Sequence, residues 1–236
     1  MSKTLNWRGT IMENEIDASL LSFDELKAKQ RKIREAFPGD LGVRIHRALS
    51  WLQRAEQSDD DDDAAFIFYW IAFNAAYAHE EIAYVPIGER SSFDEYFGKL
   101  ISLDAEQIIY DAIWRRYSGP IRLLLDNRYV FQPFWKHHND LRGGHDWEAQ
   151  FARSKRLIKR SLQNRDTKSV LCTLFDRLYV LRNQLVHGGA TWNSSVNRDQ
   201  VRDGSRILGF LVPLFIDLMM ENPDLSWGKP YYPVVD

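Results

Sequence analysis

A short polar motif, Arg182-Asn183-Gln184-Leu185-Val186-His187, contains side chains suited to phosphodiester chemistry. Arginine stays charged and binds phosphate oxygens through two parallel hydrogen bonds, and histidine exchanges a proton near neutral pH. Residues four apart lie about 40° from each other around an α-helix, so Asn183 and His187 share one face. Arg182 lies about 140° from His187 and reaches the same point only through its long side chain or from a second copy of the helix. The spacing therefore favours a site assembled in a dimer.

Two glycines follow the motif and predict the point where its helix ends. Gly188 and Gly189 lack a Cβ atom, and glycine accepts the left-handed backbone conformation that closes many helices. His187 would then sit at the C-terminal end of the helix, where the helix dipole favours a protonated imidazole. The pattern thus indicates a side chain positioned for proton transfer.

The motif resembles the Arg-x4-His signature of HEPN domains (higher eukaryotes and prokaryotes nucleotide-binding), in the variant with asparagine after the arginine. Two other segments resemble a bacterial group of that family: the helix Trp70-Ile-Ala-Phe-Asn-Ala-Ala-Tyr77, and Asn127-Arg-Tyr-Val-Phe131 with Phe134-Trp135. Together these segments span about residues 64 to 220. The six-residue motif alone is a weak indicator of the family. The upstream aromatic helix strengthens the resemblance.

The resemblance implies an all-α fold, an antiparallel helical bundle of HEPN type, that acts as a homodimer. It also implies a metal-independent RNA endonuclease in which a ribose 2′-OH attacks the adjacent phosphorus and leaves a 2′,3′-cyclic phosphate. By motif position, His187 would be the general acid or base, Arg182 would bind the phosphate, and Asn183 would orient either group. Because the reaction needs the 2′-OH, the substrate would be RNA. Such an enzyme would be a toxin or a phage-defence effector with an antitoxin or a neighbouring defence protein as partner.

One position departs from a branch of that family. Toxins paired with a nucleotidyltransferase antitoxin often carry a tyrosine two residues past the histidine as the modified target. That position is Gly189 in this chain, so we do not expect silencing by this route.

A second interpretation of the motif stays open on the residues alone. Arg182 would be a surface residue, Asn183 and Gly188 would terminate a helix, and His187 would pair with the last carbonyls. The protein would then be a non-catalytic HEPN module, acting as a nucleotide-binding or partner-binding regulatory subunit.

The overall charge does not identify a nucleic-acid-binding surface. The chain has 31 basic and 33 acidic residues, for a formal net charge of -2, so RNA would have to be held by a local patch. The predicted helix from Trp147 to Gln163 supplies one, and the candidate RNA contacts are Lys155, Arg156, Lys159 and Arg160. The alternative for this face is a solvated surface. Beside a ribonuclease centre the RNA interpretation gains weight, because phosphate contacts supply much of nucleic-acid affinity without sequence choice.

We expect neither a metal site nor a cofactor. The only cysteine, Cys172, excludes an intramolecular disulfide and a cysteine-rich zinc site, fits a reducing cytoplasm and is predicted to lie in the core. His137, His138 and His145 flank a glycine-containing loop without a carboxylate or cysteine at a recognised spacing, which favours a solvated loop. The acidic run Asp59 to Asp63 points in all directions around a helix and is interpreted as a helix N-terminus.

We predict a cytoplasmic protein without a targeting or membrane segment. The N-terminus has no apolar stretch of signal-peptide length. The longest apolar run, Ile207 to Ile216, is far shorter than the roughly 20 residues that span a bilayer and contains Pro213. This run is predicted to form a buried or interface helix bent at the proline.

Periodicity and capping signals predict one helical domain with three additions. These are a flexible N-terminal arm over residues 1–20, an irregular aromatic-rich insertion at about 117–146 within the domain 21–220, and an extended C-terminal tail over 221–236. Capping patterns and apolar spacing predict helices at about 22–37, 41–57, 64–79, 92–101, 104–116, 147–163, 166–187 and 197–220.

Overall fold

A computed structural model of the chain describes residues 21–58, 60–78, 90–139 and 146–234, with the side chains of residues 90–92 left aside. Regular structure in these ranges is helical, with no strand, so the predicted all-α class is confirmed. The predicted arm over residues 1–20 lies outside the described residues.

The helices follow one another with short connections. In chain order they are α1 (Phe23–Ile33), α2 (Gly39–Glu56), α3 (Asp62–Tyr77), α4 (Arg90–Leu103), α5 (Ile108–Asp111), α6 (Ser118–Leu125), α7 (Gln132–Asn139), α8 (Trp147–Gln163), α9 (Thr167–Val186) and α10 (Arg198–Glu221). Two 3-10 turns (Arg34–Ala36 and Arg128–Val130) lie between helices, and a π-helical segment (Ala112–Arg116) continues α5.

A dense aromatic cluster forms the centre of the core. α3 packs along both α2 and α10, and α4 packs along α9. Phe73 on α3 and Phe97 on α4 both contact Phe175 on α9, with ring centroids 4.6 and 4.8 Å apart. All three rings are fully buried, and burial of this aromatic surface is the main force that holds the helices together. Cys172 is buried in the same core, as predicted.

Helices α8 and α9 form an antiparallel pair whose bounds match the prediction closely. Asp146 and Asp166 cap them by accepting hydrogen bonds from the backbone N–H groups of Ala149 (2.9 Å) and Ser169 (3.0 Å). Because a capping aspartate satisfies a free N–H group at the helix start, it fixes where the helix begins. The motif helix α9 therefore has a defined register along the core.

The predicted insertion is built of short helices that join the bundle. Ile121, Leu124 and Leu125 of α6 belong to the hydrophobic core. On α7, the ring of Phe134 packs at a right angle against Trp147 of α8, with centroids 5.0 Å apart. α7 is therefore held beside α8, while residues 140–145 lie outside the described part.

The segment after α10 is attached to the bundle through a buried cation. Arg44 on α2 has no exposed surface and donates hydrogen bonds to three carbonyl oxygens: Gly228 (3.0 Å), Lys229 (2.9 Å) and Ala76 (2.8 Å). Trp227 of the same segment is also buried. These contacts fix the chain after residue 221 across α2 and α3.

The longest apolar run lies within α10, which continues through Pro213 to Glu221. Among the helices that the structure describes, none combines the length and the apolar character needed to cross a membrane.

Candidate functional site

Helix α9 ends at the motif in the way that its glycines predict. Gly188 adopts a left-handed conformation with φ of 69°. The backbone N–H groups of Gly189 and Gly188 donate to the carbonyl oxygens of Gln184 (2.7 Å) and Leu185 (3.3 Å). These two bonds satisfy carbonyls that the helix itself leaves free, and they turn the chain away immediately after His187.

The structure links Asn183 directly to its neighbour in the motif. Arg182 Nη1 donates a hydrogen bond to Asn183 Oδ1 at 2.9 Å, and both side chains are half-buried. The backbone N–H of His187 donates to the carbonyl oxygen of Asn183 at 3.0 Å. The His187 side chain is exposed, and its imidazole has no hydrogen bond to any residue that the structure describes. The ring is therefore accessible to a substrate.

Helix spacing separates the arginine from the histidine within one chain. The side chains of Arg182 and His187 make no hydrogen bond with each other in the described part of the chain, which agrees with their separation of about 140° around α9. Asn183 and His187, four apart, have Cβ atoms about 5–6 Å apart. Within the described part of one chain, Asn183 is therefore bonded to Arg182 and lies near His187 on the helix, but no bond joins Arg182 to His187.

An acidic pair at the start of α3 holds the loop that follows the motif. Asp63 Oδ2 accepts hydrogen bonds from Arg198 Nη2 at 2.7 Å and from the backbone N–H of Asn193 at 3.1 Å. Asp61 Oδ2 accepts one from the indole N–H of Trp192 at 2.9 Å. The loop between α9 and α10 is therefore anchored to α3, and the anchors define the path of the chain beyond His187.

The same pair confirms the predicted role of the acidic run as a helix N-terminus. Asp61 caps α3 by accepting a hydrogen bond from the backbone N–H of Ala64 at 3.0 Å. Partial burial acts to raise the pKa of Asp61, but the hydrogen bonds from Ala64 and Trp192 outweigh it and lower the pKa below its ordinary value. Asp59 lies outside the described residues. Sequence reasoning missed the attachment to the loop because it joins positions 130 or more residues apart.

A groove opens beside the motif between α7 and the end of α9. Its volume is about 740 Å³, and its lining includes Asn183 but neither Arg182 nor His187. Gln184 braces the wall, because its Nε2 donates to the carbonyl oxygen of Tyr129 at 2.6 Å. The lining residues are Gln132, Trp135, Lys136, Asn139, Val180, Asn183, Gln184 and Gly189.

The four predicted RNA contacts on α8 are exposed but lie away from the motif. Lys155 forms an ion pair with Asp126. Arg177 of α9 bonds to Ser154 of α8, which places these two residues at the same level of the antiparallel pair. At 1.5 Å per residue, Lys155, Arg156, Lys159 and Arg160 then lie about 16 to 24 Å from His187 along the axis of α9. The structure does not bring them to the motif.

A buried arginine that the sequence did not single out lies under this basic surface. Arg177 is 4% exposed, donates to Ser154 Oγ at 3.0 Å and stacks over the ring of Phe131. With Arg153 and Arg160 it lines a second pocket of about 490 Å³ between α8 and α9. No local sequence pattern distinguishes Arg177 from an exposed polar residue of the helix. Its burial follows from the packing of α8 on α9.

The histidines considered as metal ligands do not form a cluster in the described residues. His138 Nδ1 lies 2.8 Å from the carbonyl oxygen of Phe134, a contact within α7, and His145 lies outside the described part. Within the described ranges, no group of three or more His, Cys, Asp or Glu side chains could hold a metal ion.

Comparison of the chain with protein-family models, curated proteins and solved structures finds no match.

Proposed function

We propose that the protein is a metal-independent RNA endonuclease whose site is completed when two copies of α9 meet at their C-terminal ends. The observation that carries this proposal is the arrangement at the helix end. An exposed His187 lies at the end of α9, and Asn183 on the same face is bonded to the Arg182 guanidinium. An imidazole can accept the proton of a 2′-OH, and a permanent cation can stabilise the charge that develops on the phosphate.

The reaction assigns a separate task to each group. His187 of the partner subunit removes the proton of the 2′-OH as the O2′–P bond forms, and the leaving 5′ oxygen takes a proton from water as the P–O5′ bond breaks. Arg182 neutralises the charge that develops on the phosphate. Asn183 holds the guanidinium through its Oδ1. The products are a 2′,3′-cyclic phosphate and a 5′-hydroxyl.

Exposed apolar side chains near the motif support self-association at this end of the bundle. Val186 is 49% exposed, Trp192 73% and Val196 82%. Exposed apolar side chains of this size are common at protein interfaces. A twofold contact there would place each Arg182 beside the motif of the other copy.

The test is cleavage of an unstructured oligoribonucleotide in the presence of EDTA. We expect the wild-type protein to cut it to products with a cyclic phosphate, and His187→Ala and Arg182→Ala to lose this activity. His46→Ala is the matched control, since His46 is an exposed histidine on α2. Replacing the ribose at the cleavage position by 2′-deoxyribose should abolish cutting. Full activity of either motif variant would reject the assignment.

The second candidate is a non-catalytic HEPN-like module that binds a partner protein. The observation that favours it is that no hydrogen bond joins the Arg182 and His187 side chains within the described residues. In this case, the pure protein would be inert on RNA and would form a stable complex with the product of a neighbouring gene. As a ribonuclease, in contrast, the protein would act as a toxin or phage-defence effector restrained by such a partner.

A further inference from the structure

The groove beside the motif has the dimensions of a ligand site. Its volume of about 740 Å³ lies within the range of about 300–1,000 Å³ typical of small-molecule sites. Asn183, which lines it, is the residue bonded to Arg182. The groove therefore borders the motif.

One face of α7 supplies most of the chemistry in this groove. Gln132, Trp135, Lys136 and Asn139 lie at intervals of three, four and seven residues, which places them on the same side of the helix. This face is not the one that α7 buries, because Phe134 is its buried residue. The exposed face is thus polar and aromatic along its whole length.

Trp135 presents a fixed aromatic surface. Its indole N–H donates to the carbonyl oxygen of Tyr129 at 2.7 Å, and its ring packs at a right angle against Phe134 with centroids 5.1 Å apart. The side chain is still 37% exposed. A ring held in place with an open surface is suited to stacking against a planar group.

The side-chain amides around Trp135 differ in how many hydrogen bonds they already make. Gln184 is engaged at both ends, with Tyr129 and with Asn197. Asn183 accepts a bond from Arg182 at its Oδ1, and within the described residues its two N–H donors have no acceptor. Gln132 and Asn139 have no hydrogen bond to another residue in the described part of the chain. These are the donors and acceptors that recognise the edge of a nucleobase.

The charge of the lining points to an anionic ligand. Lys136 is exposed and makes no ion pair in the ranges that the structure describes. Among the lining residues that the structure describes, none is an aspartate or a glutamate. A stacking ring, side-chain amides and a lysine together match the base and the phosphate of a nucleotide.

We propose that this groove binds one unpaired nucleotide of a single-stranded RNA next to the scissile phosphate. The base stacks on Trp135, the amides of Asn183 and Gln132 contact its edge, and Lys136 binds the adjoining phosphate. This inference rests on the proposed nuclease function and narrows its substrate to RNA whose bases are splayed out. A base-paired strand does not offer a free face to Trp135 and is excluded.

The test measures binding separately from cleavage. In the His187→Ala background, which we expect to be inactive, a labelled unstructured oligoribonucleotide is titrated with protein carrying Trp135→Ala. We expect its affinity to fall about 5- to 150-fold, the loss that removal of one stacked base typically causes. Trp51→Ala is the matched control, since Trp51 is also 37% exposed but lies on α2, and it should bind as the parent does.

A second variant keeps the test valid if Trp135→Ala misfolds. Lys136→Gln changes an exposed side chain, and it should weaken binding and reduce the salt dependence by about one phosphate contact. A fully paired duplex of the same sequence should bind more weakly than the single strand. Unchanged affinity in both groove variants would overturn the proposal.

Two further outcomes separate this inference from the nuclease function. If the wild-type protein cuts RNA and both groove variants cut and bind normally, the nuclease stands and the groove assignment fails. If adenosine monophosphate binds as tightly as the oligonucleotide, the groove takes a free nucleotide and the assignment to an RNA strand is overturned.

Discussion

Replacing Asp63 by asparagine removes the charge that holds the loop after the motif against α3. The Asp63 side chain is 11% exposed and accepts hydrogen bonds from Arg198 and from the backbone of Asn193. Asparagine cannot accept both bonds as strongly, and a hydrogen bond to a charged group contributes about 1.5–3 kcal/mol. We expect the free energy of unfolding to fall by this amount, and the melting temperature of a domain of this size to fall by about 3–12 °C.

Asp60→Asn provides the matched control for that measurement. Asp60 lies just before the same helix, is exposed and has no hydrogen bond or ion pair within the described residues, so its replacement should change stability by less than about 0.5 kcal/mol. Urea unfolding of both variants gives the difference directly. Cleavage by Asp63→Asn, assayed well below its melting temperature, should also decrease because the chain beyond His187 loses its anchor. Equal stability of the two variants would refute the reasoning.

Three other substitutions test separate parts of the structure. Gly188→Ala should cost about 1–2 kcal/mol in urea unfolding because of its left-handed backbone, whereas Gly119→Ala, with open space at its Cβ position, should not destabilise. Arg44→Met should cost about 3 kcal/mol or more by leaving buried carbonyls without donors, and should expose the C-terminal segment to proteolysis. Arg47→Met removes only an exposed bond to Tyr232 and should change the free energy of unfolding little. If the C-terminal segment of Arg44→Met resists proteolysis as the wild type does, the role assigned to Arg44 is wrong. The pKa of Asp61 is lowered from 3.8, so wild type should be more stable than Asp61→Asn at neutral pH. This difference in the free energy of unfolding should disappear as the pH falls below 3.8. A difference that grows in acid would contradict the assigned hydrogen bonds.

The helices that local signals delimit could be predicted from the sequence. α8 and α9 each begin at a capping aspartate, and α9 ends where Gly188 allows a left-handed turn, so their predicted bounds are correct within about one residue. Weaker signals gave poorer bounds. The helix predicted to begin at Ser92 begins at Arg90. The helix predicted to begin at Asp104 begins at Ile108, because the Asp104 carboxylate accepts hydrogen bonds from the backbone N–H groups of Ile108 and Ile109 and so precedes the helix that it caps.

Features that depend on long-range packing could not be predicted in this way. The acceptors of Arg44 lie 32 and about 185 residues away along the chain, and nothing local marks that arginine as buried. The position of the α8 basic residues relative to His187 depends on the register between two helices. Local signals mark Arg182, Asn183 and His187 as candidates, and their assembly into one site by a second copy stays a prediction.

The most direct test of the central claim is a mixing experiment with two inactive variants. Arg182→Ala and His187→Ala proteins are each assayed on the oligoribonucleotide, then unfolded together, refolded and assayed again. If each site combines Arg182 of one chain with His187 of the partner subunit, a mixed dimer contains one intact site, and cleavage should return. No recovery in refolded mixtures shown to contain the mixed dimer would contradict a site shared between two chains.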